Sequence, residues 1–332
     1  MLTKPSKDDW IRGVLYATAV GLPLLLQPWV ESPIVVFITL GALFTLRLDP
    51  RSHVKHQAIA MIGGVALVIL AGAVGTLLVG HFELAIIVLV VISYLAGQPT
   101  IEQKYFSLLG KFVAAAFVLE AVGSPVTLMT GVAFFCGGVL ALILTILQAR
   151  YFATQVNGWS LVDEWQQLRS GKINGPLYGM TLPITVLVSI LSAQWLNAQH
   201  VSWVGLTVLF VMNVDTVTAW RKIWMRTAGT LLGVISAYIV VVFFPSALLS
   251  FIIVLSALFM PMFLRQNYMI FSWLMSMFVL LVVDLAMLQS GGDEFLIQWR
   301  FIDTLIGCGW VMVSLSLLHL GRKWWPNQPS KG

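Results

Sequence analysis

Apolar segments separated by short polar stretches recur along the whole chain and predict helices that cross a lipid bilayer. A helix of roughly 17 to 25 apolar residues is long enough for one crossing. The pattern therefore predicts an all-α integral membrane protein with about twelve transmembrane helices. Several spans, notably 33–46, are short for a perpendicular crossing and are expected either as half-helices or with help from snorkelling and local thinning of the bilayer. The predicted spans are 13–29, 33–46, 58–80, 82–97, 108–123, 126–148, 177–195, 201–217, 227–244, 247–264, 269–288 and 302–320.

The composition agrees with this pattern. The 332-residue chain is 59% hydrophobic and only 10% charged, whereas a soluble domain carries roughly 25% charged residues. Apolar segments continue to the C-terminus, so a signal peptide does not explain the excess. Twelve helices of about 20 residues leave about 90 residues for loops and tails. We therefore expect no folded extramembrane domain. No Gly-x4-Gly-Lys-Ser/Thr phosphate loop occurs, so an ATP-driven motor is not expected in this chain.

The basic residues predict an orientation. With the N-terminus in the cytoplasm and alternating spans, every one of the 19 Lys and Arg residues except Arg300 falls on the cytoplasmic side. Cytoplasmic loops of membrane proteins carry an excess of Lys and Arg. The distribution thus predicts a multi-pass protein with both termini in the cytoplasm.

The two halves of the chain share short sequence features, such as Gly13-Val14-Leu15-Tyr16 and Gly175-Pro176-Leu177-Tyr178. Two six-helix repeats in parallel orientation explain these matches, and chance similarity between apolar segments is the alternative. The expected organisation is a first repeat over residues 1–150, a cytoplasmic linker over 151–174, a second repeat over 175–321 and a cytoplasmic tail over 322–332. The linker is either an interfacial amphipathic helix or a plain connection.

The most specific polar signal begins the predicted span 227–244. Arg221 and Arg226 precede or begin a helix, where free backbone N–H groups favour an anion. Gly229 and Gly233 form a small-xxx-small face on which another helix can pack closely, with Thr230 between them. The basic residues are thus either part of an anion site or only determinants of topology.

A second signal begins the predicted span 302–320. Arg300, the lone outer cation, precedes Asp303 by one helical turn, with Thr304 and Gly307 following. The two charged residues are expected as an exit gate, as a modest local ion pair, or with Asp303 as a simple helix cap.

Three acidic residues in or beside predicted spans, Asp215, Asp284 and Glu120, are candidates for a proton relay, and snorkelling to the interface is the alternative. The five histidines show no spacing typical of metal ligands, and Cys136 and Cys308 lie in apolar runs where inert buried thiols are expected. No metal or cofactor is therefore expected. The Met-rich and aromatic stretch 260–278 either lines a pocket for a flat ring or packs against lipid and other helices.

The motifs of the second half resemble those of the fusaric acid resistance and aromatic acid exporter superfamily. Arg226-x2-Gly229-Thr230-x2-Gly233 is followed by Arg300-x2-Asp303-Thr304-x2-Gly307 within six-span units, and the resemblance is clearest over 200–320. It is weak in the first half, where His56 stands in place of Arg226 and Gly131 roughly in place of Asp303. Typical members carry large cytoplasmic domains, so this chain resembles a compact form.

The resemblance implies an inner-membrane exporter of organic anions, most of all aromatic carboxylic acids or related toxic compounds. It also implies a periplasmic membrane-fusion adaptor, an outer-membrane channel and a homodimer as partners, and no nucleic acid. It places substrate binding on Arg226, Arg221, Thr230, Arg300, Asp303 and Thr304, and helix packing on Gly229, Gly233 and Gly307. A passive anion channel and a non-transporting assembly subunit are the alternatives, whereas a lipid-modifying membrane enzyme would need clustered His, Asp or Ser residues that the chain does not show.

The orientation predicts the behaviour of a topology reporter. A periplasm-active phosphatase fused after Lys323 should be inactive in intact cells, because the predicted C-terminal tail lies in the cytoplasm. The same reporter fused after Glu31, in the predicted outer loop between the first two spans, is the positive control. High phosphatase activity of the Lys323 fusion would contradict an even number of spans.

Overall fold

Thirteen α-helices and no β-strand form the part of the chain that the computed structural model describes, which is residues 5–51, 54–100, 104–123, 127–152, 161–212, 216–264, 266–287 and 296–324. The helices are α1 Lys7–Leu25, α2 Ser32–Arg47, α3 Val54–Leu77, α4 Phe82–Ala96, α5 Tyr105–Val122, α6 Leu128–Tyr151, α7 Leu161–Arg169, α8 Gly175–Trp195, α9 Val201–Val211, α10 Thr216–Phe243, α11 Ser246–Phe263, α12 Tyr268–Met287 and α13 Leu296–Trp324.

Twelve of these helices overlap the twelve predicted spans, and the remaining helix, α7, lies in the predicted linker. Six helices in the described ranges are long and apolar enough to cross a membrane, and five more are apolar over shorter lengths. The protein is thus an α-helical membrane protein, while the twelve-span layout remains a prediction. The largest difference in bounds is at α10, which begins at Thr216 rather than near residue 227.

Glycines allow neighbouring helices to approach closely. A Cβ atom on Gly41 of α2 would overlap the backbone carbonyl of Phe134 in α6, and one on Gly137 of α6 would overlap the carbonyl of Ile38 in α2. Close backbone contact at small residues is typical of membrane helix pairs, whose association relies on packing. These two glycines therefore join α2 and α6 backbone to backbone.

The helix pairs of the first half recur in the second half. α2 packs on α6 as α9 packs on α13, and α3 packs on α5 as α10 packs on α12. Between the halves, α1 packs on α11 and α8 packs on α4. Two copies of one six-helix unit would produce this correspondence, which supports the proposed repeat together with the shared sequence features.

The outer surface is apolar, as expected of helices that face lipid. Leu25, Leu77 and Leu128 are among the many large apolar side chains that are largely exposed. Cys136 is also exposed, so the expectation that both thiols are buried is wrong for this residue and holds for Cys308. α7 has no buried residue, and its Trp165 ring contacts Phe106 at the start of α5.

The contact between α2 and α6 predicts opposite effects for two glycine substitutions. Gly137→Ala should lower the thermal unfolding temperature in detergent, because its Cβ has no space beside the Ile38 carbonyl. Gly63→Ala is the matched control, since nothing lies within 4 Å of its Cβ position; it should be neutral or stabilising through helix propensity. Equal unfolding temperatures for both variants would contradict this packing.

Candidate anion-binding site

Five polar residues of the second half lie together on α10 and α13. We call Arg226, Thr230, Arg300, Asp303 and Thr304 the arginine cluster. Arg226 is 7% exposed and Arg300 is 5% exposed, while the other three are inaccessible to solvent. Long charged side chains are rarely buried to this degree unless they are paired. The cluster is therefore a concentration of charge that the packing alone does not explain.

Helical spacing places these residues on facing surfaces. Arg226 and Thr230 are one turn apart on α10, and Arg300, Asp303 and Thr304 lie within one turn on α13. Residues three or four apart share one face of a helix. The two faces meet because α10 packs against α13. Three charged and two hydroxyl side chains thus come from helices that are far apart in sequence.

Three glycines hold the helices that surround the cluster close together. A Cβ on Gly229 would lie 2.5 Å from the Met269 carbonyl oxygen, and one on Gly233 would lie 2.7 Å from the Cβ of Ser276. On the other side, a Cβ on Gly307 would lie 2.8 Å from the Cβ of Thr207. The glycines therefore allow α12 to pack closely against α10, and α9 to pack closely against α13.

The hydroxyl groups are bonded to helix backbone or to one another. Ser272 Oγ donates to the Arg226 carbonyl oxygen at 3.4 Å, and Ser276 Oγ donates to Thr230 Oγ1 at 3.3 Å. Thr304 Oγ1 donates to the Arg300 carbonyl oxygen at 2.9 Å. The hydroxyl protons of Ser272, Ser276 and Thr304 are therefore used within the protein.

The charged atoms themselves lack hydrogen-bond partners in the described part of the chain. Nε of Arg226, Nε and Nη1 of Arg300, and both carboxylate oxygens of Asp303 are buried without one. The guanidinium carbon of Arg300 lies 4.6 Å from the ring centroid of Trp203, a cation–π contact. Arg300 is also close enough to interact electrostatically with Arg226 and Asp303.

These positions correct the expected Arg300–Asp303 ion pair. Neither carboxylate oxygen of Asp303 accepts a hydrogen bond from a described residue, although Asp303 is one turn from Arg300. Asp303 is also not a helix cap, because α13 begins seven residues earlier at Leu296. The Arg300 guanidinium contacts the Trp203 ring of α9 instead.

The predicted anion site at Arg226 and the predicted exit gate at Arg300 and Asp303 lie in one cluster. Arg226 does not begin a helix, because α10 begins at Thr216, about 15 Å earlier along the axis at 1.5 Å per residue. Its backbone lies past the first turn, where N–H groups have intrahelical partners. Free N–H groups therefore do not contribute at Arg226, and its side chain faces Arg300 across the α10–α13 contact.

Arg221 and Glu120, the other predicted polar site residues whose side chains are described, lie outside the cluster. Arg221 is exposed and lies five positions, or about 140° of helical rotation, from Arg226. Glu120 is buried on α5 beside Gly72 and Gly75 of α3. Asp215 lies outside the described residues, and Asp284 belongs to α12 but its side chain is outside the description.

Sequence reasoning missed the residues that surround the cluster. Ser272 and Ser276 are four apart on α12, and their spacing matches that of Gly229 and Gly233 on α10, which is a signal that could have paired the two helices. Trp203 carried no signal, because its contact with Arg300 joins positions nearly one hundred residues apart. Cys308 lies one turn below Thr304 and hydrogen-bonds Thr227.

The cluster has the chemistry of an anion site. Removing charges from water costs several kcal/mol for each ion, and two neighbouring guanidinium groups repel each other. With Asp303 ionised, the three side chains carry a net charge of +1. Guanidinium N–H groups match carboxylate oxygens in charge and in geometry. Among the described residues, no group of three His, Cys, Asp or Glu side chains could hold a metal ion.

The arginine cluster lies in the part of the chain that matches a known protein family. Residues 187–314 match the family model described as fusaric acid resistance protein-like. This match confirms the resemblance that the two arginine motifs predicted, and it contains all five residues of the arginine cluster.

One curated relative is similar over part of its length. An uncharacterized protein, ORF2, from Neisseria gonorrhoeae is 27% identical over 173 residues, which are 52% of this chain and 38% of that protein. The chain thus matches about two fifths of the length of this relative. No solved structure matches the chain.

Proposed function

We propose that this protein exports organic monoanions, with aromatic carboxylates as the main class, from the cytoplasm across the bacterial inner membrane. The observation that carries the proposal is the pair of buried arginines on adjacent helices, with N–H groups that have no protein acceptor, inside the region that matches the family. A membrane transporter of the fusaric acid resistance type is the broader class to which this function belongs.

The cluster explains why a monoanion is the substrate. A carboxylate between Arg226 and Arg300 would accept hydrogen bonds from N–H groups that are otherwise unpartnered. It would also lower the repulsion between the two guanidinium groups and bring the net charge of the site to zero. The Trp203 ring, already in contact with Arg300, offers an aromatic face to a bound ring.

The membrane potential favours the direction of transport. A monoanion that leaves a negative interior gains about 2.3 kcal/mol per 100 mV. Since about 1.4 kcal/mol is tenfold, this corresponds to roughly a fifty-fold gradient without any coupling ion. Proton antiport through Asp215, Asp284 or Glu120 would add to this gradient but is not required.

The burial of the cluster supports a carrier over a passive channel. Asp303 is inaccessible to solvent and both arginines are nearly so. An open pore would leave these charges in contact with water on both sides, whereas a carrier exposes its site to one side at a time. The proposal includes twelve spans in two repeats, both termini in the cytoplasm, a periplasmic adaptor, an outer-membrane channel and a homodimer, all of which rest on the charge pattern or the family resemblance.

Arg226 and Arg221 provide a matched test of the site. Cells that lack the gene should retain more of a weak aromatic acid such as benzoate, and the wild-type gene should restore efflux. Arg226→Ala should reduce efflux at least about tenfold, because charge-assisted hydrogen bonds contribute about 1.5–3 kcal/mol each. Arg226→Lys should impair it partly, since Lys lacks the planar fork. Arg221→Ala removes the same charge from an exposed position and should export normally.

The stability of Arg226→Ala separates a binding role from a structural one. Removing an unpaired buried charge should leave the unfolding temperature in detergent unchanged or higher. A lower unfolding temperature together with lost efflux would indicate a structural role. Wild-type efflux in Arg226→Ala, at equal membrane abundance, would remove this residue from the mechanism, and unchanged retention of a broad panel of acids in the deletion strain would contradict export.

Asp303 should set the balance between binding and release. Asp303→Asn removes the only negative charge of the cluster, so a bound monoanion should be held more tightly and released more slowly. Coulomb's law gives roughly 2–3 kcal/mol for unit charges about 6–8 Å apart at an effective dielectric constant near 20. Efflux kinetics should therefore show a lower half-saturating concentration and a lower maximal rate.

Asp303→Glu keeps the charge and is the matched control, with kinetics closer to wild type. Weaker binding of the anion to Asp303→Asn, with the protein correctly folded and at normal abundance, would contradict the proposal that the Asp303 charge weakens anion binding.

A further inference from the structure

A second basic site lies in a cavity between the two halves of the protein. The cavity has a volume of about 940 Å³ and is formed by the beginnings of α1 and α5 and by the ends of α2, α6 and α11. The distribution of basic residues predicts that this end of the helices faces the cytoplasm. The cavity thus lies where a cytoplasmic substrate would first meet the protein.

Arg47 is the distinctive side chain of this cavity. Its guanidinium carbon lies 5.2 Å from the ring centroid of Phe271 on α12, and it forms no hydrogen bond or ion pair with another residue of the described ranges. The hydroxyl groups of Tyr16 and Tyr268 are close enough to interact with it electrostatically. A positive charge without a carboxylate therefore stands beside two hydroxyl groups that can donate hydrogen bonds.

The neighbouring arginines of the cavity are already paired. Arg12 Nη2 lies 2.8 Å from Asp49 Oδ2, and Arg51 Nη1 lies 3.4 Å from Asp8 Oδ2. Asp49 also accepts a hydrogen bond of 2.6 Å from Gln57 Nε2. Two further carboxylates of the cavity are also engaged, since Asp9 accepts hydrogen bonds from Ser6 and Glu164 accepts one from the Phe106 N–H. Arg47 therefore has no carboxylate partner among the described residues of the cavity.

Apolar side chains line one part of the cavity beside Arg47. Leu46, Met262, Pro261 and Leu264 belong to this part, whereas charged residues line much of the rest. One cation next to aliphatic and thioether groups fits a ligand with an anionic group and an apolar body.

We propose that Arg47, with Tyr16 beside it in the lining, binds the acidic group of an amphiphilic organic anion in the cavity, as a cytoplasmic loading site distinct from the arginine cluster. This inference deepens the proposed function and rests on it for the fate of the ligand, but binding in the cavity does not require transport.

α12 connects the two sites. Phe271 contacts Arg47 at the cavity, and the next residue, Ser272, donates to the Arg226 carbonyl oxygen beside the cluster. Consecutive residues of a helix point about 100° apart. The two basic sites therefore lie on different faces of the same turn of α12, and a substrate released from Arg47 has one helix between it and Arg226.

Counting bound anions tests this assignment directly. The probe is 1-naphthoate, a fluorescent two-ring carboxylate, measured by equilibrium dialysis against the purified full chain in phosphatidylcholine nanodiscs. The wild type should bind two naphthoates, one at each basic site. Arg47→Gln should weaken one of them at least about tenfold through the lost charge-assisted bonds, and Arg47→Lys should restore part of that affinity.

Lys7→Gln is the matched control, because Lys7 is an exposed cation that also lines the cavity. It should retain two naphthoates. An equal loss in Lys7→Gln and Arg47→Gln would indicate general attraction by the basic surface and overturn the proposal, and so would two unchanged sites in Arg47→Gln.

Two further measurements test whether the arginine cluster binds an anion and whether the cavity instead holds a lipid headgroup. If Arg226→Ala also binds two naphthoates while Arg47→Gln binds one, the arginine cluster is not an anion site and the loading site stands. If nanodiscs of phosphatidylglycerol abolish the Arg47-dependent binding, the cavity holds an anionic lipid headgroup, which overturns the proposal; unchanged binding in both lipids supports a soluble organic anion.

Discussion

The cost of holding two like charges in an apolar interior is the constraint on which the second half of the structure depends. Arg226 and Arg300 are almost inaccessible to solvent and one carboxylate accompanies them. Burying such groups costs several kcal/mol for each ion, so the surrounding helices must pack tightly enough to hold them. The glycines of α10 and α13 provide this packing, because the neighbouring backbones lie where a Cβ would stand. A folding free energy made less favourable by buried charges is typical of sites where those charges bind a ligand.

The two halves share the pairing of their helices but differ in their charged residues. Equivalent helix pairs recur in both halves, yet the position that matches Arg226 carries His56, whose side chain is exposed. The first half contributes a different basic residue, Arg47, which reaches toward α12 of the second half. The shared pairing of helices is thus a common frame, and the charged residues that differ between the halves make the two halves electrostatically unequal.

The helices were predictable because the length of an apolar run is set by the thickness of the bilayer. α10 was the main exception: its first turns contain Arg221 and Lys222, which an apolar pattern excludes although a helix continues through them. The cluster was predictable only in part. The motif spacing placed Arg226 with Thr230 and Arg300 with Asp303, since one turn of helix relates each pair. That the two pairs meet, and that Trp203 lies over Arg300, depends on how α9, α10 and α13 pack, which no local pattern in the sequence encodes.

The contact between α10 and α12 combines close packing at two glycines with three hydrogen bonds. Its close approach relies on Gly229 and Gly233, which have no side chain to interlock with α12. Its polar links are three hydrogen bonds, two of 3.3 and 3.4 Å from Ser276 and Ser272 and one of 2.9 Å from Trp273 Nε1 to Ser236 Oγ, and bonds between membrane helices contribute only about 0.6 kcal/mol on average. The described sequence of α12 contains no Gly or Pro, so the helix has no hinge residue of either kind and would move as a rigid rod. Phe271 of α12 contacts Arg47 and Ser272 bonds to the Arg226 carbonyl oxygen, so any movement of this rod against α10 would change the surroundings of both arginines together.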